Sequence, residues 1–194
     1  MKEFEMTQLQ TRLSKNLKLS AILGLALLGL VACNKSDTAS ANADSAAAPA
    51  ASGNAITFIA TQDDKPFTID PALFVTPAAK EFLATGKNIY IGDEDAIKKG
   101  KRVFGLYSCT QCHGPEGKGQ VGPGLVGPTF KYPKDATNKG MFETVWHGSN
   151  GGMGAKGIGL MVPGDNTQGI TTDELLQVIA WIRTKGDQGV TGNE

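Results

Sequence analysis

Cys109-Thr110-Gln111-Cys112-His113 sets two thiols three residues apart, with an imidazole directly after the second. This is the C-x-x-C-H pattern of covalent c-type haem attachment. The spacing presents both sulfurs to one edge of a porphyrin, where each can form a thioether on a vinyl group. His113 follows at once, so its ring can approach the iron as proximal ligand. A thioredoxin-like redox pair would need a βαβ context, and the flanks here are glycines and short helical stretches. A zinc site would need four ligands, and beyond these three the chain offers only Cys33 and His147 as soft donors. The motif therefore predicts one covalently bound haem c.

On its C-terminal side the motif runs into His113-Gly114-Pro115-Glu116-Gly117-Lys118-Gly119-Gln120-Val121-Gly122-Pro123-Gly124-Leu125. The loop lacks the G-K-[ST] ending of a phosphate loop and the strand before it. Its glycines let the backbone close against a flat ligand. The Pro123 carbonyl is a candidate acceptor for the second ring nitrogen of His113, which would fix the tautomer. Leu125 is expected against the porphyrin face. Phe130-Lys131-Tyr132-Pro133 offers a further wall, with the Tyr132 hydroxyl near a propionate or simply at a polar edge of the core.

Before the motif, Asp93 reads as the N-cap of a helix reaching about Ser108, with Ile97, Gly100, Val103, Phe104 and Tyr107 on one face. After the loop, a short helix is expected over Thr137 to Trp146. A strong one follows Thr171, where Thr171 and Glu174 form a capping box. Leu175, Val178, Ile179 and Ile182 make its apolar stripe, Trp181 flanks it, and Gly186 is the expected stop. That stripe should cross the Gly100/Phe104 face. Further upstream, Ala78 to Thr85 predicts a short helix closed by Gly86, and Ile56 to Ile59 has strand-like residues.

A sixth iron ligand is needed opposite His113. A thioether is usual in an electron carrier and raises the reduction potential. The residues alone leave Met153, Met161 and His147 open.

Length and composition bound the rest. At 194 residues, with 19 basic and 19 acidic side chains, the chain suits one domain with appendages. Balanced charge and the lack of an aromatic platform interleaved with Lys or Arg give no sign of nucleic-acid binding. Three cysteines, two of them in the haem motif, exclude a disulfide scaffold. Residues 1–32 read as a secretory signal: Arg12, Lys15 and Lys18 precede an apolar run of thirteen residues, Leu19 to Val31, too short to span a bilayer. Leu30-Val31-Ala32-Cys33 resembles a bacterial lipobox, which implies cleavage before Cys33 and a lipid on its sulfur. Asn34 after the cysteine then favours the outer membrane over the inner. Without residues 1–32 the chain carries 15 basic and 17 acidic groups. Residues 33–54 are Ala, Ser, Asn, Asp and Pro in the main and read as a tether. The folded domain is expected over 55–194, facing the periplasm, where haem is attached to cysteines.

A helix before C-x-x-C-H, a glycine-proline loop, a methionine loop and a capped terminal helix together resemble a class I cytochrome c. Five stretches are similar to the cytochrome cL family: Ala79 to Asn88, Gly122 to Leu125, Tyr132-Pro133, Lys139 to Thr144 and Glu174 to Arg183. The resemblance covers about residues 75 to 186. It implies an all-α fold, a few helices wrapped around one covalent haem c. It implies Cys109 and Cys112 as attachment sites and His113 as proximal ligand. The family's methionine lies eleven residues after the phenylalanine of its F-E-T segment, which from Phe142 falls on Met153. Met161-Val162-Pro163 imitates the Met-Pro of other cytochromes c. The family's role implies electrons arriving from PQQ-dependent methanol dehydrogenase and leaving to a second cytochrome c or an oxidase. A general carrier to a terminal oxidase shares every haem feature. A peroxidase or sensor would need an open iron position, and no paired carboxylates or triad suggest an enzyme.

Overall fold

The computed structural model describes residues 56–186. The segments read as a signal and a tether, with Cys33 between them, lie outside the described residues. Within them the fold is mainly helical, with one small antiparallel pair. β1 (Phe58–Ile59) runs against β2 (Pro66–Phe67), Phe58 opposite Phe67. Strand character at 58–59 was legible in the sequence. Its partner was not, because Pro66 punctuates it, and a proline is tolerated only at such an edge.

Every helix but α3 begins where a side chain can accept an otherwise unpaired backbone N–H. α1 (Pro77–Thr85) is capped by Thr76, has proline in its first turn, and ends on left-handed Gly86. α2 (Glu94–Leu106) is capped by Asp93, with Glu94 and Asp95 in its first turn. It stops two residues short of the expected end, because Ser108 turns to φ 57° ahead of α3 (Cys109–His113). Thr137 caps α4 (Asn138–His147). The reciprocal capping box of Thr171 and Glu174 opens α5 (Thr172–Arg183).

α5 ends differently from the expectation. Thr184 closes it in right-handed conformation, and Gly186 lies beyond. A Cβ on Gly186 would come 2.6 Å from the Val126 carbonyl oxygen, so close packing gives this glycine its place. α5 is also more than amphipathic. Every residue from Leu175 to Ile182 is buried, Trp181 and Gln177 included.

α2 and α5 cross where the sequence places them. A Cβ on Gly100 would overlap the carbonyl of Gln177, and the Phe104 and Trp181 rings meet at 4.7 Å. Behind this crossing lies an aromatic core. Phe58 stacks on Phe67, Phe74 and Phe142, and Phe142 stacks on Trp146 at 5.5 Å. α4 is tied to β1 by polar groups as well: the carboxylate of buried Glu143 accepts from the Ile59 N–H at 2.7 Å and pairs with Lys134 and Lys139. The crossing and the core leave one face of α4 and α5 open towards the haem motif.

Candidate haem site

α3 is a single turn carrying Cys109, Cys112 and His113. Its glycine-rich exit folds straight back beneath it. Gly119 N–H donates to the His113 carbonyl at 2.9 Å, and Gly122 N–H to the Cys112 carbonyl at 2.8 Å. The second contact favours a glycine, since a Cβ at 122 would lie 3.2 Å from Cε1 of the His113 ring and the ring would have to give. This closure brings Pro123 under the imidazole. The Pro123 carbonyl is 2.8 Å from Nδ1 of buried His113. A carbonyl only accepts, so Nδ1 carries the proton and Nε2 keeps its lone pair for a metal. Both cysteines are free of disulfides. Burial pushes the Cys109 thiol up, opposed by the charge of nearby Lys156.

These residues open on a cavity of about 300 Å³. Cys109, Cys112, His113, Pro123 and Leu125 line it from the motif and its loop; Tyr132 and Met153 line it from elsewhere. The remaining wall is supplied by α2, α4 and α5 through Phe104, Met141, Val145, Val178 and Ile182. Apolar walls, two thiols and a committed imidazole are the donor set and surroundings that a covalently held haem requires.

The three candidates for the far side separate in space. Met153 lines the cavity. It sits on a tight loop that starts at Gly148, where φ is 84° and a Cβ would press on Ala155 N at 2.7 Å. Ser149 N–H closes the loop on the Met153 carbonyl at 2.8 Å. Met161 belongs to the next turn, its N–H bonded to the Gly157 carbonyl, and is not part of the cavity wall. His147 ends α4 facing away; its ring packs on Phe67 at 4.7 Å. The Tyr132 hydroxyl, expected near a propionate or at a polar edge of the core, donates to Asn150 Oδ1 at 3.0 Å, on the methionine loop. Phe130 is not in the wall and lies instead beneath the Arg183 guanidinium.

The wall also holds groups the sequence did not flag. Asp135, Thr144, Ser149 and Lys156 border the cavity, beside Lys131 of the expected wall. Asp135 is 7% exposed. Burial pushes its carboxyl up to about 6, against the Thr144 hydroxyl and the charges of Lys134 and Arg183, which lower it. Burial also draws Arg183 down to about 10, with Asp135 opposing.

Comparison with known proteins agrees with this geometry. The family model for cytochrome c matches residues 97–185. Cytochrome c-L of Methylorubrum extorquens is 42% identical over 108 residues, which is 56% of this chain and 49% of that protein. The chain thus spans about half the length of that curated relative. Among solved structures, cytochrome cL of the marine methylotroph Methylophaga aminisulfidivorans aligns with TM-score 0.56 and 34% identity, covering 66% of this chain and 79% of that one. Cytochrome cL of Hyphomicrobium denitrificans aligns with TM-score 0.57 and 36% identity, covering 66% and 73%. With identity and coverage of that order over the same fold, the chain belongs to the cytochrome c family, and the members it resembles are cytochromes cL.

Proposed function

We propose that the chain is a periplasmic one-electron carrier that accepts electrons from a PQQ-dependent methanol dehydrogenase and passes them to a second cytochrome c or an oxidase. Haem c, covalently bound, is the cofactor of the family, and when bound it supplies a one-electron ferric/ferrous couple. The chain's own residues do the rest. Cys109 and Cys112 hold the group through thioethers. His113 offers Nε2, oriented by the bond from Nδ1 to Pro123. Met153, on the same cavity, would offer its sulfur, and Leu125 and Tyr132 contribute to the enclosure.

One observation carries the reading. The same cavity is lined by a committed imidazole and a loop methionine, so the chain could supply the iron with a nitrogen donor and a sulfur donor. A centre closed on both sides exchanges electrons and leaves no open position for a substrate. The likeness to cytochromes cL supports the choice of donor. Cys112 and Gln111 are exposed beside the cavity, which suits a small, transient contact with a partner there. The Leu30-Val31-Ala32-Cys33 segment supports lipid anchoring through Cys33, with the outer membrane favoured by Asn34.

Absorption spectra of the oxidised protein test the ligand. Met153→Ala should abolish the sulfur-to-iron band, while Met161→Ala retains it; the reverse result overturns the assignment. Mixing the oxidised protein with methanol dehydrogenase and methanol tests the donor. Rapid reduction is expected, and none would leave a carrier with a different donor. Cys33→Ser should move the protein from the membrane fraction to the soluble periplasm.

A further inference from the structure

Asp135 is a buried acid in the wall of a redox site, and electron carriage through His113 and Met153 makes no use of it. It lies in the turn Pro133–Ala136, just before α4. Its Oδ1 accepts from the Thr144 hydroxyl at 2.6 Å, and the Thr144 oxygen is 2.7 Å from that of Thr61. Among the described residues, no group donates to the other oxygen, Oδ2.

The surrounding charges make their hydrogen bonds elsewhere, and Nη1 of Arg183 is buried without a partner among the described residues. Lys134, on the same turn, donates to the Ile59 carbonyl at 2.6 Å and pairs with Glu143 of α4 at 2.8 Å. Glu143 is paired with Lys139 too, and its negative charge works against ionisation of Asp135. From α5, Arg183 uses Nη2 on the backbone carbonyls of Asp135 and Thr137 and Nε on Asn138. Among the described residues, no cation is bonded directly to the Asp135 carboxyl.

We propose that Asp135 is a redox-linked proton site, taking up one proton from solvent on Oδ2 when the centre gains an electron and releasing it when the electron leaves. The inference rests on the haem reading and not on the identity of the donor. The balance is simple. One electron enters from the donor, one proton adds to the carboxylate, and the net charge of the site is unchanged. An added electron removes one positive charge from the cavity, so the ionised carboxylate loses a favourable interaction and holds a proton more tightly. Linkage makes this reciprocal: protonation of Asp135 favours reduction. The raised affinity of Asp135 for a proton, near pH 6, places the effect where a modest pH change tunes the carrier.

The test is a spectroelectrochemical titration of the holoprotein at a series of pH values, with an electrode in place of any donor protein. The wild-type midpoint should fall as pH rises through the region near 6 and level off on either side. An acid constant about tenfold different in the two redox states corresponds to a drop of about 59 mV. Asp135→Asn should cut the drop by half or more, and a variant that keeps more than half of it overturns the proposal. Asp135→Glu should restore the drop. Should the Asn variant fail to assemble, Thr144→Val decides: removing a donor to the ionised form should move the inflection to higher pH, and an unmoved inflection overturns the proposal. A wrong donor leaves all of these readings intact, and a wrong haem reading gives a colourless protein.

Discussion

The thiols, His113 and the Pro123 carbonyl could be read from the chain because they are neighbours in it. A five-residue motif and a loop returning after ten residues fix them locally. Asp135 and Thr144 could not. In sequence Asp135 is one charge in a polar stretch, and such a residue usually faces water. Only the packing of α4 turns it inward, where Thr144 holds it. Of the candidate sixth ligands, His147 and Met161 are displaced by contacts no local rule supplies, to Phe67 and to the Gly157 turn. The burial of Asp135 has a further consequence, for stability. Its folded value of about 6 lies above its ordinary 3.8. Between these the folded chain binds more protons than the unfolded one, so this group's contribution is complete below about pH 4 and is lost as pH rises through 6. Asp135→Asn, which cannot titrate, should therefore gain on the wild type between pH 4 and pH 7, by up to about 3 kcal/mol. Denaturant unfolding of both holoproteins at the two pH values checks the sign.

Two helix starts were legible for a physical reason: a cap is a short-range device, and Asp93 and Thr171 each accept from an N–H three residues on. Thr76 and Thr137 cap α1 and α4 in the same way, though neither was singled out as a cap in the sequence. Helix ends were less so. α5 stops at Thr184, and Gly186 is placed by Val126, a residue sixty positions away. The capping box of α5 predicts a measurable cost. Thr171→Ala should lower stability by about 1 kcal/mol, read as a reduced denaturation midpoint with an unchanged haem spectrum. Gly100 sets two effects against each other. Alanine favours an isolated helix over glycine by about 1 kcal/mol. Here its Cβ would meet the Gln177 backbone of a fully buried stretch of α5, which cannot rotate aside. Overpacking of that kind costs about 1–3 kcal/mol, and displacing a buried helix belongs at the upper end. Gly100→Ala should therefore destabilise the holoprotein, while the same change at Gly105, with open space around it, should not. Parallel unfolding curves of the two variants separate crossing from propensity.

The cavity is larger than any side chain and is walled by four of the five helices, α2 to α5, and by the loops between them. Phe104 comes from α2, Met141 and Val145 from α4, Val178 and Ile182 from α5, and Leu125 and Met153 from the two loops. The helices therefore do not close on one another alone; they close on what lies between them. A fully enclosed void of about 300 Å³ in a core that cannot collapse would cost about 7 kcal/mol at about 24 cal/mol per Å³, and the opening to solvent at exposed Cys112 and Gln111 makes that an upper bound. Domains of this kind are stable by about 5–15 kcal/mol in total. Partial collapse would be hindered by the α2–α5 crossing, already tight at Gly100, and by loops whose glycines sit against α3. The comparison predicts that a chain unable to bind haem has little stability left. Cys109→Ala combined with Cys112→Ala, secreted by the same route, should lose the dispersed side-chain resonances of the holoprotein and most of its cooperative thermal transition. Substantial helicity could survive, because the caps are local. A variant that stayed fully folded without the prosthetic group would show that the aromatic core around Phe58, Phe82 and Phe142 is sufficient alone, and that the cavity walls are set by that core instead of by the haem.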